Sequence, residues 1–328
     1  MTKTAVVILN YNGENYLRKF LPSVVKFSGD SSIVVADNKS TDNSINVLKN
    51  EFPQVRILPL AENYGFAGGY NKALEHIQSE YIVLLNSDVE VTDGWLAPMV
   101  SFLDKNPGYA GCQPKIKDYN DQSKVEYAGA SGGFIDRLGY PYCRGRIFDT
   151  IETDTGQYDK EADIFWTSGA CMIIRNRLYK QAGGLDSDVF AHMEEIDLCW
   201  RIQSLGFKFK AIPRSVVFHV GGGTLSKLNP LKTFLNFRNG LYMLVKNLPA
   251  KHLLYKLPTR IVLDWVASIK FLVEGNHKHS RAVIGAHFKV LGSLWKTIRK
   301  RKTLSNLRIR KIIIVRYYLQ NRKKFDRI

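Results

Sequence analysis

Glu80-Tyr-Ile-Val-Leu-Leu-Asn-Ser-Asp-Val-Glu90 is the stretch on which the reading of this chain turns. Five apolar residues, Tyr81 to Leu85, run without a polar break and stop at Asn86-Ser87-Asp88. A run of that length between polar residues predicts a strand buried on both faces, as in a parallel α/β sheet. Ligands of such sheets gather beyond the carboxyl ends of the strands, where Asp88 stands. Two readings of Asp88 compete: a carboxylate that holds a metal, and an ordinary turn or cap residue.

The sequence on the N-terminal side repeats the pattern. Residues 5–9, 33–36 and 55–58 read as strands, and residues 14–27, 42–52 and 67–78 as the helices between them. Leu17, Leu21 and Val24 mark the buried face of the first helix, and Tyr70, Ala73, Leu74 and Ile77 that of the third. Pro22 predicts a weak point inside the first. Repeated strand-helix-strand units imply a mostly parallel sheet with right-handed crossovers.

Each strand ends in a small polar, acidic or Gly-rich loop: Asn10-Tyr11-Asn12-Gly13, Asp37-Asn38-Lys39-Ser40-Thr41-Asp42, Glu62-Asn63-Tyr64-Gly65-Phe66-Ala67-Gly68-Gly69 and Asn86-Ser87-Asp88. The topology gathers all four around one crevice. Ser40, Thr41 and Asp42 suit helix capping, whereas Asp37 follows its strand directly and can accept hydrogen bonds from a ligand. Gly65, Gly68 and Gly69 stand where a helix begins, so its amides can meet a negative group. No Gly-x-Gly-x-x-Gly follows the first strand and no Gly-x-x-x-x-Gly-Lys motif occurs, which excludes the Rossmann and P-loop schemes.

With 328 residues and 45% hydrophobic content the chain has material for a large core. Its charge of +17 is confined to one end: residues from 250 onward hold 20 Lys and Arg against 3 Asp and Glu, and the first 249 balance. That asymmetry calls for an anionic partner, a membrane surface or a polyanion. Cys112, Cys143, Cys171 and Cys199 show no metal-site spacing and are expected reduced and mostly buried. The opening Met-Thr-Lys-Thr runs straight into the first strand with no room for a leader, so a cytoplasmic protein is expected.

The ordered motifs Val-Ile-Leu-Asn-Tyr-Asn-Gly, Ala-Asp-Asn-Lys-Ser-Thr-Asp-Asn-Ser, Asn-Tyr-Gly-Phe-Ala-Gly-Gly-Tyr-Asn and Leu-Asn-Ser-Asp-Val resemble family 2 glycosyltransferases of the GT-A fold. Within that family the chain is most similar to bacterial rhamnosyltransferase-like members that build surface polysaccharides. The match continues through Thr167-Ser168-Gly169-Ala170-Cys171-Met172, Met193-Glu194-Glu195-Ile196-Asp197-Leu198-Cys199-Trp200-Arg201 and His219-Val-Gly-Gly-Gly-Thr224, about the first 250 residues. The resemblance implies a nucleotide-diphosphate sugar donor, dTDP- or UDP-linked, a divalent Mg²⁺ or Mn²⁺, and inversion at the anomeric carbon. By the same resemblance Asn12, Asp37, Asn63 and Gly68 line the nucleotide-sugar site, and Asp88 is the last acid of an Asp-x-Asp-like metal motif whose first acid is replaced by Asn86. His219 lies near the metal, Ser168 and Gly169 shape the sugar and acceptor pocket, and Arg238 faces phosphate.

The acceptor hydroxyl needs a base. The family's base is the acid of a Glu-Asp pair, which aligns with Glu195 in Glu194-Glu195; whether Glu195, Glu194 or Asp197 takes the proton is left open. Asp197 and Arg201 also suit a plain i,i+4 surface pair. Trp166 suits either a sugar face or the core.

In the tail, Leu254, Leu257, Ile261, Trp265, Ile269 and Leu272 form a helical stripe, with Lys256, Arg260, Asp264 and Ser268 on another face. Pro258 predicts a break or helix start. The stripe suits a membrane interface, aided by Arg299-Lys-Arg-Lys302 and Arg322-Lys-Lys324, or equally a core contact with the parent domain. The expected organisation is a catalytic domain over 1–249, with a nucleotide-sugar half to about 110, and a basic amphipathic helical region over 250–328. The function that follows is transfer of rhamnose or a similar hexose to a lipid-linked or polysaccharide acceptor, by an enzyme held peripherally at the inner membrane face. Nucleotidyl transfer and non-catalytic binding of sugar nucleotide or polyanion are the alternatives; no nucleic-acid module is recognisable.

Overall fold

In the computed structural model, which describes residues 2–127, 129–189, 191–221, 229–302, 305 and 311–328, the predicted alternation is present. It runs β1 (Thr4–Asn10), α1 (Glu14–Phe27), β2 (Ser32–Asp37), α2 (Ser44–Glu51), β3 (Arg56–Pro59), α3 (Gly65–Glu75) and β4 (Tyr81–Asn86). β1 pairs in parallel with β2 and β4, and β2 with β3. Pro22 lies inside an unbroken α1. α3 starts two residues earlier than expected, because Gly65 takes a φ of 67° and its N–H is capped by Asn63 Oδ1 at 2.9 Å.

The sheet then continues as a mixed one. β5 (Val89–Val91), α4 (Ala97–Lys105) and β6 (Tyr109–Asp118) are followed by a small antiparallel sheet of β7 (Gly133–Ile135), β8 (Pro141–Cys143), β9 (Arg146–Ile147) and β10 (Thr150–Ile151). Next come β11 (Ala162–Ile164), β12 (Cys171–Arg175), α5 (Asn176–Gln181), α6 (Glu194–Ser204) and β13 (Lys208–His219). The main sheet has the order β11-β13-β6-β12-β4-β1-β2-β3, with β5 on β13. β12 is antiparallel to both β4 and β6, and β13 is parallel to β6.

β4 is apolar throughout because both its faces are covered. Val83 and Leu85 meet Leu17, Leu21 and Val24 of α1 in one core, while Ile82 and Leu84 meet Tyr70 and Leu74 of α3 in the other. All four cysteines are buried and unbonded.

After β13 the chain is helical: α7 (Pro230–Asn247), α8 (Ala250–Val273), α9 (His277–Gly292) and α10 (Leu294–Arg299). The expected boundary at 249/250 falls at the Leu248-Pro249 joint between α7 and α8, whereas the one near 110 falls inside β6. Pro258 neither starts nor ends α8, whose first residue follows Pro249. Residues 311–328, expected in the helical region, form only two short helical turns. There Ile313 and Ile328 close a third core with Tyr142 and Ile147 of the small sheet.

α8 faces the opposite way from a core helix. Its buried residues are Lys256, Arg260, Asp264 and Ser268, whereas Trp265, Ile269 and Val273 are 53%, 57% and 83% exposed. The core reading of the stripe is therefore wrong, and the cause is visible. Arg260 bonds Asp264 at 2.9 Å, stacks 3.6 Å over Tyr140, and donates to the carbonyls of Leu138 and Gly139; Tyr140 Oη donates to Asp264 at 3.0 Å. No helix among the described residues is long and apolar enough to cross a membrane.

Removing one partner of a buried ion pair strands the other. Asp264→Ala is expected to lower the unfolding free energy by about 3–5 kcal/mol, read as a shift in the urea midpoint at unchanged slope.

Candidate active site

The carboxyl end of β4 is where the elements converge. Asn86 N donates to Ala170 O at 3.0 Å, which brings Gly169 beside it, and Val220 N donates to Asp88 O at 3.1 Å, which brings His219. The pairing of Val89 with His219 in β5 and β13 fixes that register. Glu126 arrives by a different route: its N–H is bonded to Ile116 O of β6, the strand on which β13 lies.

His219 consequently sits between two acids. Its Nε2 is 3.1 Å from Asp88 Oδ1 and its Nδ1 is 3.4 Å from Glu126 Oε1, and all three residues are buried. Burial alone would lower the imidazole, but Glu126 and Asp88 outweigh it and hold His219 up at about 10. Sequence reasoning missed Glu126, which belongs to no motif.

The donor set fits a divalent cation. Asp88 Oδ1 and His219 Nε2 face each other, and once a cation displaces the Nε2 proton, a ring with the Glu126 carboxylate beside Nδ1 presents Nε2 as a ligand. Glu126 is on the far side of the ring. Accordingly, no group of three or more acidic, His or Cys side chains suited to hold a metal occurs among the described residues. A cation here would take its other ligands from phosphate and water. The Gly222-Gly223-Thr224 part of the His219 motif lies outside the described residues.

A second acidic pair opens α6. His192 and Met193 have φ of 67° and 73°, a left-handed entry that swings Glu194 and Glu195 into the first helical turn. Asn239 of α7 holds that entry, its Nδ2 donating to the carbonyls of Val189, Ala191 and His192. Glu194 is buried, and Oε2 of each acid lacks a hydrogen-bond partner among the described residues. Burial pushes Glu195 up to about 7 against the pull of nearby amides, and burial with the Glu195 charge pushes Glu194 well up. Gly169 faces this pair: a Cβ there would stand 3.9 Å from the Glu195 carboxyl carbon and 3.6 Å from Phe66. Gly169 thus lies beside Glu195 and one residue from the bond that anchors Asn86. Cys143, raised first by burial, also feels the charges of both Glu126 and Glu195.

The loops after β1, β2 and β3 are tied to one another. Asn12 Oδ1 accepts from Thr41 N at 2.7 Å, Asp37 accepts from Asn10 Nδ2 and Ser40 N, and Asn63 Oδ1 accepts from Asn38 Nδ2 at 2.9 Å. Buried Asn38 also donates to Gly65 O and accepts from Tyr64 N, so it clamps the second loop to the third; its place beside Asp37 was the only sequence signal. Gly68 packs on Tyr64, where a Cβ would come within 3.0 Å of the Tyr64 Cβ.

Other expected site residues fall as follows. Ser168 is buried, with its N–H on Gln113 Oε1 and its Oγ accepting from Ala170 N, so it sets the backbone at Gly169. Trp166 is in the core at 2% exposure, its Nε1 donating to Phe134 O and its ring lying where a Gly133 Cβ would be; the sugar-stacking expectation is corrected, because no ring face is open. Arg238 donates to Val189 O and Asn239 Oδ1 and so braces the loop before α6, on the wall of a cavity of about 240 Å³ that Asp186, Lys246 and Lys300 also line. Asp197 bonds Arg201, Lys246 and Asn247, which makes it a tie between α6 and α7.

Comparison with known proteins places the fold and the family. Residues 5–181 match the model of Glycosyl transferase family 2. The N-acetylglucosaminyl-diphospho-decaprenol L-rhamnosyltransferase of Mycobacterium tuberculosis is 24% identical over 230 residues, 65% of this chain and 75% of that one. Among solved structures, GalNAc-T7 with UDP, GalNAc and Mn²⁺ superposes with a TM-score of 0.59 at 15% identity, covering 76% of this chain and 48% of that one. The mannosyltransferase PcManGT of Pyrobaculum calidifontis, in complex with GDP-Man and Mn²⁺, gives 0.54 at 15% identity, covering 88% and 87%. The fold is the GT-A glycosyltransferase fold, a mixed, mostly parallel sheet flanked by helices.

An acid raised in the folded state destabilises the fold as it ionises, so the Glu195 contribution declines as pH climbs from its ordinary 4.5 through about 7. Glu195→Gln is therefore expected to be more stable than wild type at pH 8, by roughly 1–3 kcal/mol, and to lose that advantage at pH 5 when both are melted in parallel.

Proposed function

We infer the reaction from one premise: the chain belongs to glycosyl transferase family 2. It is a glycosyltransferase, and the proposal is that it moves rhamnose or a similar hexose, with inversion, from a dTDP- or UDP-linked donor to a lipid-linked or polysaccharide acceptor of the cell surface. The rhamnosyl transfer and lipid-linked acceptor named for the mycobacterial relative support that choice. Nucleotidyl transfer and passive binding are not favoured by that membership.

The observation that carries the mechanism is the position of Glu195. It has a carboxyl raised to about 7 and stands beside Gly169, one residue from the backbone bond that anchors the Asp88 turn. Glu195 accepts the acceptor hydroxyl proton at its unpartnered Oε2 as the oxygen attacks the anomeric carbon. Glu194 beside it favours the proton-binding state of the pair and is the second candidate for the base. At the end of β4, Asp88 and His219 would hold a Mg²⁺ or Mn²⁺, which when bound would neutralise the charge that develops on the diphosphate. Glu126 keeps His219 turned toward Asp88.

Asn12, Asp37, Asn63 and Gly68 belong to three interlocked loops that form the nucleotide wall, braced by Asn38. Gly169, set in place by Ser168, keeps the backbone beside Phe66 and Glu195 free of a side chain and so lets the sugar approach it. Arg238 acts by holding the entry to α6, with phosphate contact available through the cavity it lines. A lipid-linked acceptor places the reaction at a membrane surface. Residues 1–249 then carry the chemistry and 250–328 the attachment, at the cytoplasmic face.

Thermal stabilisation by dTDP-, UDP- and GDP-sugars with Mn²⁺ identifies the donor. Asp88→Ala is expected to abolish the Mn²⁺-dependent part of that shift; a shift equal to wild type removes Asp88 from the metal site. Glu195→Gln keeps donor binding and lowers turnover by about 10²–10⁴-fold. Turnover that survives intact in Glu195→Gln and fails in Glu194→Gln moves the base to Glu194.

A further inference from the structure

The helical layer that follows the catalytic sheet is built inside out. On α8, Val262, Trp265, Val266, Ile269, Leu272 and Val273 recur at helical spacing and are 45% or more exposed, while the polar residues of the opposite side are buried. A second exposed stripe, Ile284, Phe288, Leu291, Trp295 and Ile298, runs along α9 and through α10. The two are neighbours: the Trp265 ring is 6.4 Å from His287 on α9, and Ser268 bonds Ser280 at 2.7 Å. Soluble monomers do not normally leave so continuous an apolar face in water.

The charge around this face selects what covers it. Residues 250–302 hold 12 Lys and Arg against 2 Asp and Glu; Lys256 and Arg260 of these are buried and Lys296 and Lys300 pair with Asp188 and Asp186, which leaves the others to set the charge of the surface. Lys278, Arg281, Lys289 and Lys302 are exposed on the same helices or just beyond them, and Arg299 lies 5.4 Å over the Trp295 ring. A second copy of the chain docking face to face would bring like charges together. A bilayer offers acyl chains to the apolar stripe and anionic headgroups to the basic rim, with Trp at the boundary between them.

We propose that the exposed apolar face of α8, α9 and α10 docks into the interface of a bilayer bearing anionic headgroups, lying in its plane without crossing it. The buried Arg260–Asp264 pair is the device that turns this face outward, since it fastens the polar side of α8 to Tyr140 and to the turn at Leu138 and Gly139. The proposal deepens the membrane association inferred above and rests on it for the choice of a bilayer. Vesicle binding needs neither donor nor acceptor, so its failure leaves the transfer chemistry standing, and failure of Mn²⁺-dependent donor binding leaves this surface standing.

The test is co-sedimentation of the full chain with vesicles of phosphatidylcholine alone and of an equal mixture with phosphatidylglycerol. The wild-type chain is expected in the pellet with the mixed vesicles, less so at high salt, with Trp emission shifted to the blue. Trp265→Asp/Ile269→Asp is expected to lower partitioning roughly tenfold or more, and Phe288→Asp, on the neighbouring helix, to lower it as well. These side chains already lie in water, so the variants keep the wild-type melting temperature and donor binding. Lys278→Glu/Arg281→Glu is expected to weaken binding to the mixed vesicles roughly tenfold and to leave the weak binding to phosphatidylcholine unchanged. Wild-type protein that stays in the supernatant with mixed vesicles overturns the proposal, as does a double Asp variant that binds like wild type. A dimer in sedimentation velocity that Trp265→Asp/Ile269→Asp dissociates, with no vesicle binding, gives the face to a second copy instead.

Discussion

Two backbone hydrogen bonds at the end of β4 are the constraint on which the site depends: Asn86 N to Ala170 O and Val220 N to Asp88 O. They hold one turn from both sides, through β12 and β13, at the edge of a strand that is buried on both faces. A strand so covered cannot slip by one residue without exchanging its two cores. The position of Asp88 is thus set jointly by the register of Val83, Leu85, Ile82 and Leu84 and by the bond from Val220 N to its own carbonyl. Gly169 and His219 inherit the same precision, because each adjoins the residue that makes one of those bonds.

The two acidic pairs meet the cost of burial in opposite ways. Asp88 and Glu126 share the proton-bearing ring of His219 between them, so their charge is answered within the fold. Among the described residues no ion pair reaches Glu194 or Glu195, and Oε2 of each lacks a hydrogen-bond partner there. Burial then favours their neutral forms, which is why Glu195 is lifted toward neutrality. An acid lifted in this way is a poor structural element and a useful base, and the contrast with salt-bridged Asp197 two residues later is instructive. Asp197 has Arg201, Lys246 and Asn247 as partners and stays low, so it ties helices together and has no proton to exchange.

Much of this was legible in the sequence because strand ends in a parallel sheet must cluster. The apolar runs located β1, β2, β3 and β4, and the polar residues after them located the loops at the carboxyl ends of those strands, the Asp88 turn included. Glu126 was not legible: it reaches His219 from the connection after β6, at a sequence distance that no local pattern encodes. Trp166 illustrates the reverse failure. An aromatic beside a pocket motif reads equally as a sugar platform or as packing, and only the approach of Gly133 to its indole decides for packing. The tail was half legible. Periodicity shows that α8 has an apolar side and a polar side, but it carries no information on which side the domain covers, and that was decided by Tyr140 and the carbonyls of the turn before it.

The orientation of α8 can be argued further from its energetics. Burying Arg260 with Asp264 is at best near neutral against an apolar pair of the same volume, while leaving Trp265, Ile269 and their neighbours in water forfeits the burial that normally stabilises a helix against its domain. A chain selected only to fold in water gains nothing from that exchange, since rotating the helix by half a turn would bury the stripe and solvate the charges. The exchange becomes favourable when a second apolar phase is present, because the stripe is then buried outside the protein while the ion pair fixes the angle at which it is offered. Exposed Lys278, Arg281 and Arg299 fit the same scheme: residues of this kind bring such a face to an anionic surface before its side chains insert.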